Sequence, residues 1–247
     1  MLNIVIPMAG RGSRFADAGY TLPKPLIPVG STPMIEVVVN NLRPNTPHRF
    51  IFLCLDEHIH QYNLRDKLAQ MAPGCEVVPV STVTEGAACT VLLAEDLINT
   101  PAPLMIANSD QYIDADINTY LTHGAKHDGI IMTMYANDTR WSYIKLDENN
   151  LVTEVREKVI ISNEATVGIY NFTRGSDFVT GAKEMITKNL RENNEFYVAP
   201  VYNILIAQGM KFNYHNIGEL GNGMYGLGVP EDLEAFVKLP RYAQMLL

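Results

Sequence analysis

From residue 3 to residue 135 the chain alternates short, almost wholly apolar segments with longer stretches of helical periodicity. That alternation restricts the fold more than any other feature. Asn3–Pro7, Phe50–Leu55, Glu76–Val80, Leu104–Ala107 and Ile130–Tyr135 read as strands. Pro33–Leu42, His58–Met71, Glu85–Ile98 and Ile117–His127 carry apolar residues three and four apart, the spacing of one helix face. The first of these helices has proline in its opening turn, where a missing N–H costs nothing. A strand that is apolar throughout must be covered on both faces, and strands that alternate with helices join in parallel. The expected fold is therefore α/β, a mixed, mostly parallel sheet with helices on both faces.

The rhythm changes after residue 140. Ser142–Asp147 and Leu151–Arg156, separated by Glu148-Asn149-Asn150, form a hairpin pattern. A strand is expected at Ala165–Phe172, helices at Gly175–Asn189 and Phe196–Gln208, and a strand at Lys211–Ile217. A glycine-rich loop, 218–228, then leads to a last helix at Pro230–Lys238, whose Glu231 and Asp232 favour the helix dipole. No repeat, low-complexity tract or flexible linker interrupts the chain, so residues 1–247 read as one domain, with halves of about 1–135 and 136–247.

The net charge of −8 argues against a general nucleic-acid binder, although a few local cations suffice for a nucleotide. No apolar run is long enough for a membrane span, and no secretory leader pattern is present. Cys54, Cys75 and Cys89 lack metal-ligand spacing and read as reduced thiols, which with the absent leader points to the cytoplasm.

The chemistry-bearing residues cluster at strand ends. Met8-Ala9-Gly10-Arg11-Gly12-Ser13-Arg14 follows the first strand. Ligands of open α/β sheets bind beyond the carboxyl ends of the strands. There, glycines let a phosphate approach the backbone, and Arg11 and Arg14 can bind its oxygens. The spacing matches neither a Walker loop nor a dinucleotide fingerprint, and a plain turn with solvated arginines satisfies it equally. Lys24 sits between Pro23 and Pro25, which hold it extended. Asn108-Ser109-Asp110 closes an apolar strand with a hard oxygen donor suited to Mg²⁺, or with an Asx turn. Thr84-Glu85-Gly86-Ala87-Ala88 opens a helix with residues small enough for a flat base to pack on them, or for close helix–sheet packing. Arg156-Glu157-Lys158 ends the hairpin as a second anion site or a solvated charge run, and Trp141 is a stacking ring or partial core.

In order along the chain, these segments resemble the sugar-nucleotidyltransferase family, the nucleoside-diphosphate-sugar pyrophosphorylases. Met8–Phe15 resembles its glycine-rich signature. Lys24-Pro25-Leu26, Pro28-Val29 and Pro33-Met34-Ile35 resemble its Lys-Pro-Leu run, and Glu85-Gly86-Ala87-Ala88 its base-reading segment. Asp110 falls on its magnesium aspartate and Glu157-Lys158 on its Glu-Lys pair. Ala165–Phe172 corresponds to its Ala-Gly-Ile-Tyr strand and Gly228-Val229-Pro230-Glu231-Asp232-Leu233 to its Gly-Thr-Pro-Glu-Asp-Leu. Within the family the chain is most similar to a short bacterial subgroup associated with capsule and surface polysaccharide, some of it cytidylyltransferase-like.

The resemblance implies a Rossmann-like, GT-A-related fold and a nucleotidyltransferase of the EC 2.7.7 type. The substrates would be a nucleoside triphosphate, CTP favoured, and a phosphorylated sugar, polyol or similar acceptor, with Mg²⁺ as cofactor and pyrophosphate as product. Ala9, Gly10, Arg11, Gly12 and Arg14 would hold the triphosphate, with Lys24 bridging to the α-phosphate. Asp110 would hold the metal beside Asn108. Glu85, Gly86 and Ala87 would line the base, Lys158 would clamp the acceptor phosphate, and Glu157 would contact its carbon skeleton. Two positions depart from the pattern. Gly226 stands where a second metal-binding aspartate is usual, with Glu219 as a conceivable substitute, and Ser81 replaces a base-reading glutamine. A GT-A glycosyltransferase and a non-catalytic nucleotide-binding protein are the alternatives.

Overall fold

Leu2 to Ile6 are buried without a break, because the sheet they enter is covered on both sides. Val5 faces one core with Ile51, Leu53 and Ile106, whereas Ile4 and Ile6 face the other with Phe50, Phe52 and Met105. This is the period-two alternation of a strand, with apolar residues in both phases. The computed structural model describes residues 1–240 and 242–245.

In chain order the strands are β1 (Leu2–Pro7), β2 (Pro28–Val29), β3 (Thr32–Pro33), β4 (His48–Leu55), β5 (Glu76–Val80), β6 (Leu104–Ala107), β7 (Gln111–Ile113), β8 (Gly129–Tyr135), β9 (Ser142–Leu146), β10 (Val152–Glu157), β11 (Glu164–Phe172), β12 (Phe212–Leu220) and β13 (Gly223–Gly226). The main sheet runs β5-β4-β1-β6-β11-β8-β12-β13-β7, with β9 on β11 and β10 on β9. β5, β4, β1 and β6 are parallel. β11 is antiparallel to β6 and to β8, and β12 runs parallel to β8. The mixed, mostly parallel sheet is as expected, and it draws strands from both halves of the chain. A third core, around Phe15, Ile27, Met34, Tyr112, Leu227 and Phe236, fastens the first loops to the chain's last helices.

Several boundaries differ from expectation for identifiable reasons. The stretch 58–71 is two helices, Asp56–Tyr62 and Leu64–Met71, parted by Asn63 in the left-handed region at φ 51°. The helix expected from Glu85 starts at Ala87, stops at Leu92 and resumes as Glu95–Ile98. The helix expected from Phe196 starts only at Val201. These last two shifts share a cause: Phe196 N donates to Glu85 O at 2.9 Å and Ala88 N donates to Phe196 O at 2.9 Å, so both segments are tied extended. The loop 218–228 is not irregular throughout, since β12 continues to Leu220 and β13 lies within it. β7 carries no signature in the sequence, because its three residues are too few to show a period.

No helix among the described residues is long and apolar enough to cross a membrane. The cysteines are free, and burial pushes the Cys54 thiol up to about 12, so it stays protonated.

Candidate active site

The turn after β1 leads into a short helix, Ser13–Asp17, whose first cap is Gly12 in the left-handed region at φ 63°. After Met8, the next backbone N–H that finds a backbone acceptor is that of Phe15, on Gly12 O at 3.0 Å. Among the described residues, the amides between find no acceptor and form a run of free donors, the geometry that binds anions. A Cβ on Gly10 would meet nothing within 4 Å, so the turn is open on that side. Arg11 and Arg14 are exposed.

Gly12 also fixes the next element. A Cβ there would stand 3.1 Å from Lys24 Cβ, so the glycine admits the segment carrying the lysine. Lys24 is not extended, as its place before Pro25 predicts, but opens a 3₁₀ turn, Lys24–Leu26, in whose first positions the missing N–H of Pro25 costs nothing. Its Nζ lies 2.7 Å from Asp110 Oδ2, with both side chains about one quarter exposed. Asp110 follows β6 and is seated against the last crossing of the chain. Leu227 N donates to Asp110 O at 2.8 Å, and a Cβ on Gly228 would stand 2.6 Å from Asp110 Oδ2. Three segments distant in sequence thus converge on one ion pair.

Beside it lies a cavity of about 280 Å³, lined by Pro7, Ala87, Asn108, Trp141, Glu157, Tyr197 and neighbours. Glu157 is only 6% exposed and receives the Ser142 hydroxyl. Burial pushes its carboxyl above the ordinary value, against the Ser142 bond and the Lys158 charge, which lower it. Tyr170 and Thr166 continue the polar lining, their hydroxyls 2.9 Å apart. Lys158 has φ 57°, a strained conformation for a lysine, which points its side chain to the rim. Its Nζ donates to the Tyr197 hydroxyl at 2.9 Å and sits 4.9 Å from that ring's centre. The Tyr197 bond holds the ammonium pKa above the usual lysine value.

The structure therefore brings Gly12, Lys24 and Asp110 into one cluster, and Ala87, Asn108 and Glu157 into one cavity. Gly86, at φ 141°, is needed where it is, because a Cβ there would collide with Phe196 O. Glu85 is turned outward onto Arg191, and Ser81 is exposed just beyond β5; neither lines the cavity. Glu219 is exposed and pairs with Gly223, at the far end of β13 from Gly226, so it does not stand in for an aspartate there. The volume that a side chain on residue 226 would enter holds another carboxylate: Asp232 Oδ2 lies 3.1 Å from the place of a Gly226 Cβ.

Sequence reasoning missed Ser142, Thr166, Tyr170 and Gly168. The last had a signal, a lone glycine inside a strand pattern. At φ 76° it sits where the β11–β8 register shifts, its O accepts from Asn108 N at 3.0 Å, and a Cβ would collide with Asn108 Nδ2.

The characteristic pattern of the nucleotidyl transferase family matches residues 4–202. The chain belongs to this family. It is 25% identical over 175 residues to the bifunctional protein GlmU of Methanococcus aeolicus, a match covering 69% of this chain but 40% of that protein. The match thus spans less than half the length of that relative. It is 55% identical over 40 residues to a 2-aminoethylphosphonate cytidylyltransferase of Lancefieldella rimae, 16% of each protein. Among solved structures, the nucleoside-diphosphate-sugar pyrophosphorylase from Vibrio cholerae RC9 superposes with a TM-score of 0.83 at 26% identity, covering 96% of this chain and 100% of that one. A UDP-glucose pyrophosphorylase complexed with UDP-glucose superposes at 0.74 and 18% identity, over 94% and 96% of the two chains, a likeness of fold alone.

Proposed function

We propose that this nucleotidyltransferase moves a nucleotidyl group from a nucleoside triphosphate, CTP for preference, to a small phosphorylated acceptor such as a sugar or polyol phosphate. Pyrophosphate is the product, and the step is a cytoplasmic one of surface-polysaccharide biosynthesis. The observation that carries this reading is the Lys24–Asp110 pair, held between a turn of free amides and a cavity with a buried carboxylate. The partial likeness to a cytidylyltransferase supports the choice of CTP.

An oxygen of the acceptor's phosphate attacks the α-phosphorus, a new oxygen–phosphorus bond forms, and the bond to the bridging oxygen breaks as pyrophosphate leaves. The attacking oxygen is already an anion, so no side chain need remove a proton. What the protein supplies is the alignment of two anions and the stabilisation of charge spread over the reacting phosphoryl group. The amides of Gly10 to Arg14 and the Arg14 guanidinium hold the outer phosphates, Lys24 faces the α-phosphate, and Lys158 receives the acceptor's phosphate at the rim.

The donors present fit Mg²⁺. Asp110 offers a hard, part-exposed oxygen at the strand end, and Mg²⁺ on nucleotides takes one or two carboxylates and completes its shell with phosphates and water. When bound, the ion neutralises phosphoryl charge at the reacting centre. Arg14→Ala, Lys24→Ala and Asp110→Ala should each slow pyrophosphate release about 10²-fold or more, the loss typical of one electrostatic stabiliser. Unchanged release in all three, or release of a nucleoside diphosphate from a nucleotide sugar instead, would overturn the assignment.

A further inference from the structure

We propose that the acceptor carries a cationic amine: the Glu157 cavity takes a small phosphate or phosphonate whose far end is an ammonium group. This rests on the nucleotidyl-transfer reading above and names the substrate class of the same cleft.

Glu157 lacks a cationic partner among the described residues of the fold. Glu157 is 6% exposed, and only one of its oxygens is engaged, by the Ser142 hydroxyl. The other has no hydrogen-bond partner among the described residues. The nearby cations are committed elsewhere. Lys158 Nζ donates to Tyr197 at 2.9 Å, and Arg140 Nε is paired with Asp138 at 2.8 Å. Glu192 and Glu195 add negative potential at Glu157. The free oxygen is not among the sealed, unsatisfied atoms and so opens to the cavity, where a ligand's cation can pair with a carboxylate otherwise held in a low-dielectric wall.

The walls point the same way. Ile106, Val198 and Ala199 are apolar, and Trp141, Tyr170 and Tyr197 present rings. The Tyr170 hydroxyl is already bonded to Thr166. Asn108, Arg140, Ser142 and Thr166 complete the lining. An ammonium group needs one carboxylate and aromatic faces, and both are here. The volume, about 280 Å³, is at the small end for ligand pockets and suits a short aminoalkyl chain. With Lys158 at the rim and Glu157 inside, opposite charges would meet the two ends of such a zwitterion.

The test compares 2-aminoethylphosphonate with 2-hydroxyethylphosphonate, which differ only in ammonium against hydroxyl. Pyrophosphate release with CTP and Mg²⁺ and calorimetric binding are both measured, on the wild type and on Glu157→Gln. The ammonium compound should be favoured by about 10- to 100-fold in kcat/KM and in affinity, because a charge-assisted bond to the carboxylate is stronger than the one a neutral hydroxyl donates. Glu157→Gln should reduce the preference to within about three-fold by the same logic, while CTP with Mg²⁺ still raises its melting temperature as in the wild type. That stabilisation shows the variant to be folded. Equal or better use of the hydroxyl compound, a preference that survives Glu157→Gln, or binding of neither compound would overturn the inference. Release of pyrophosphate with a neutral acceptor alone would sink it yet leave nucleotidyl transfer standing. Ammonium-selective binding without any pyrophosphate would do the reverse.

Discussion

On the glycine side of the cleft the functional groups stand on a turn, a 3₁₀ segment and a strand end, and they are partly open to solvent. On the Glu157 side they stand on β9, β10 and β11 and are buried in a network of hydroxyls. Under the proposed function, the contrast follows from what each side would hold. A triphosphate is a large anion that any set of converging cations and amides attracts, so exposed groups on stiff loops suffice. A small acceptor has to be told from other small molecules, and that needs buried groups whose positions the sheet determines. Changes on the glycine side should therefore remove activity with little loss of stability, whereas changes on the strand side should alter both.

The largest effect expected is on turnover. Lys24→Met and Asp110→Asn should each lower kcat/KM for pyrophosphate formation by about 10²- to 10³-fold. Their unfolding free energies should move by no more than about 1 kcal/mol, because the ion pair is partly exposed. Denaturant titration beside steady-state kinetics checks this. A loss of several kcal/mol would break the comparison, because the pair would then be holding the fold.

Two glycines sharpen it further. Gly168→Ala puts a Cβ into Asn108 at a positive φ and should destabilise by about 2 kcal/mol or more. Gly10→Ala meets nothing within 4 Å and should stay within about 0.5 kcal/mol of the wild type, while weakening triphosphate binding. Melting curves with and without nucleotide separate the two outcomes.

The glycine side was also the more legible in sequence, for the same physical reason. A turn that cradles an anion is built from consecutive residues, so Gly10, Gly12 and Arg14 announce themselves together, and Lys24 is marked by its prolines. The parallel strands were readable because residues buried on both faces leave no polar phase. The Glu157 cavity is assembled from side chains that meet across strands rather than along one. Ser142 meets Glu157 across fifteen residues, and Tyr170 comes from another strand, so neither local spacing nor composition marks them. The helix starts at Glu85 and Phe196 failed because each segment is tied by the other's backbone, a tertiary bond that no local pattern contains.

A smaller effect appears in the pH dependence. Burial holds the Glu157 carboxyl above the ordinary value of 4.5, so the native state keeps its proton to higher pH than the unfolded chain does. As pH rises from that ordinary value towards the native one, the unfolded state binds fewer protons, and stability falls. Below the window both states are protonated, and above it the penalty is constant. Glu157→Gln lacks this term. Its melting temperature should match the wild type in acid and exceed it increasingly through the window, then by a constant margin. Parallel melting curves that never separate would mean that Glu157 is compensated inside the fold, erasing the difference between the two sides.

The smallest effect concerns the departure at Gly226, which lies on the boundary between the two sides. An aspartate there meets no backbone obstacle, since Gly226 has no positive φ, and the nearest atom to its Cβ would be Asp232 Oδ2 at 3.1 Å. The chain already has a carboxylate in that volume, brought by the first turn of the helix Pro230–Val237. Gly226→Asp should therefore cost about 0.5–1 kcal/mol through like-charge contact rather than improve metal binding, and Gly226→Asp with Asp232→Asn should recover most of that loss. The double-mutant cycle in melting temperature, repeated with nucleotide at rising Mg²⁺, reads both terms. Tighter Mg²⁺ dependence in the single variant would show that the glycine side lacks a ligand. Coupling between the two positions would show that a loop rich in glycine has exchanged one carboxylate position for another.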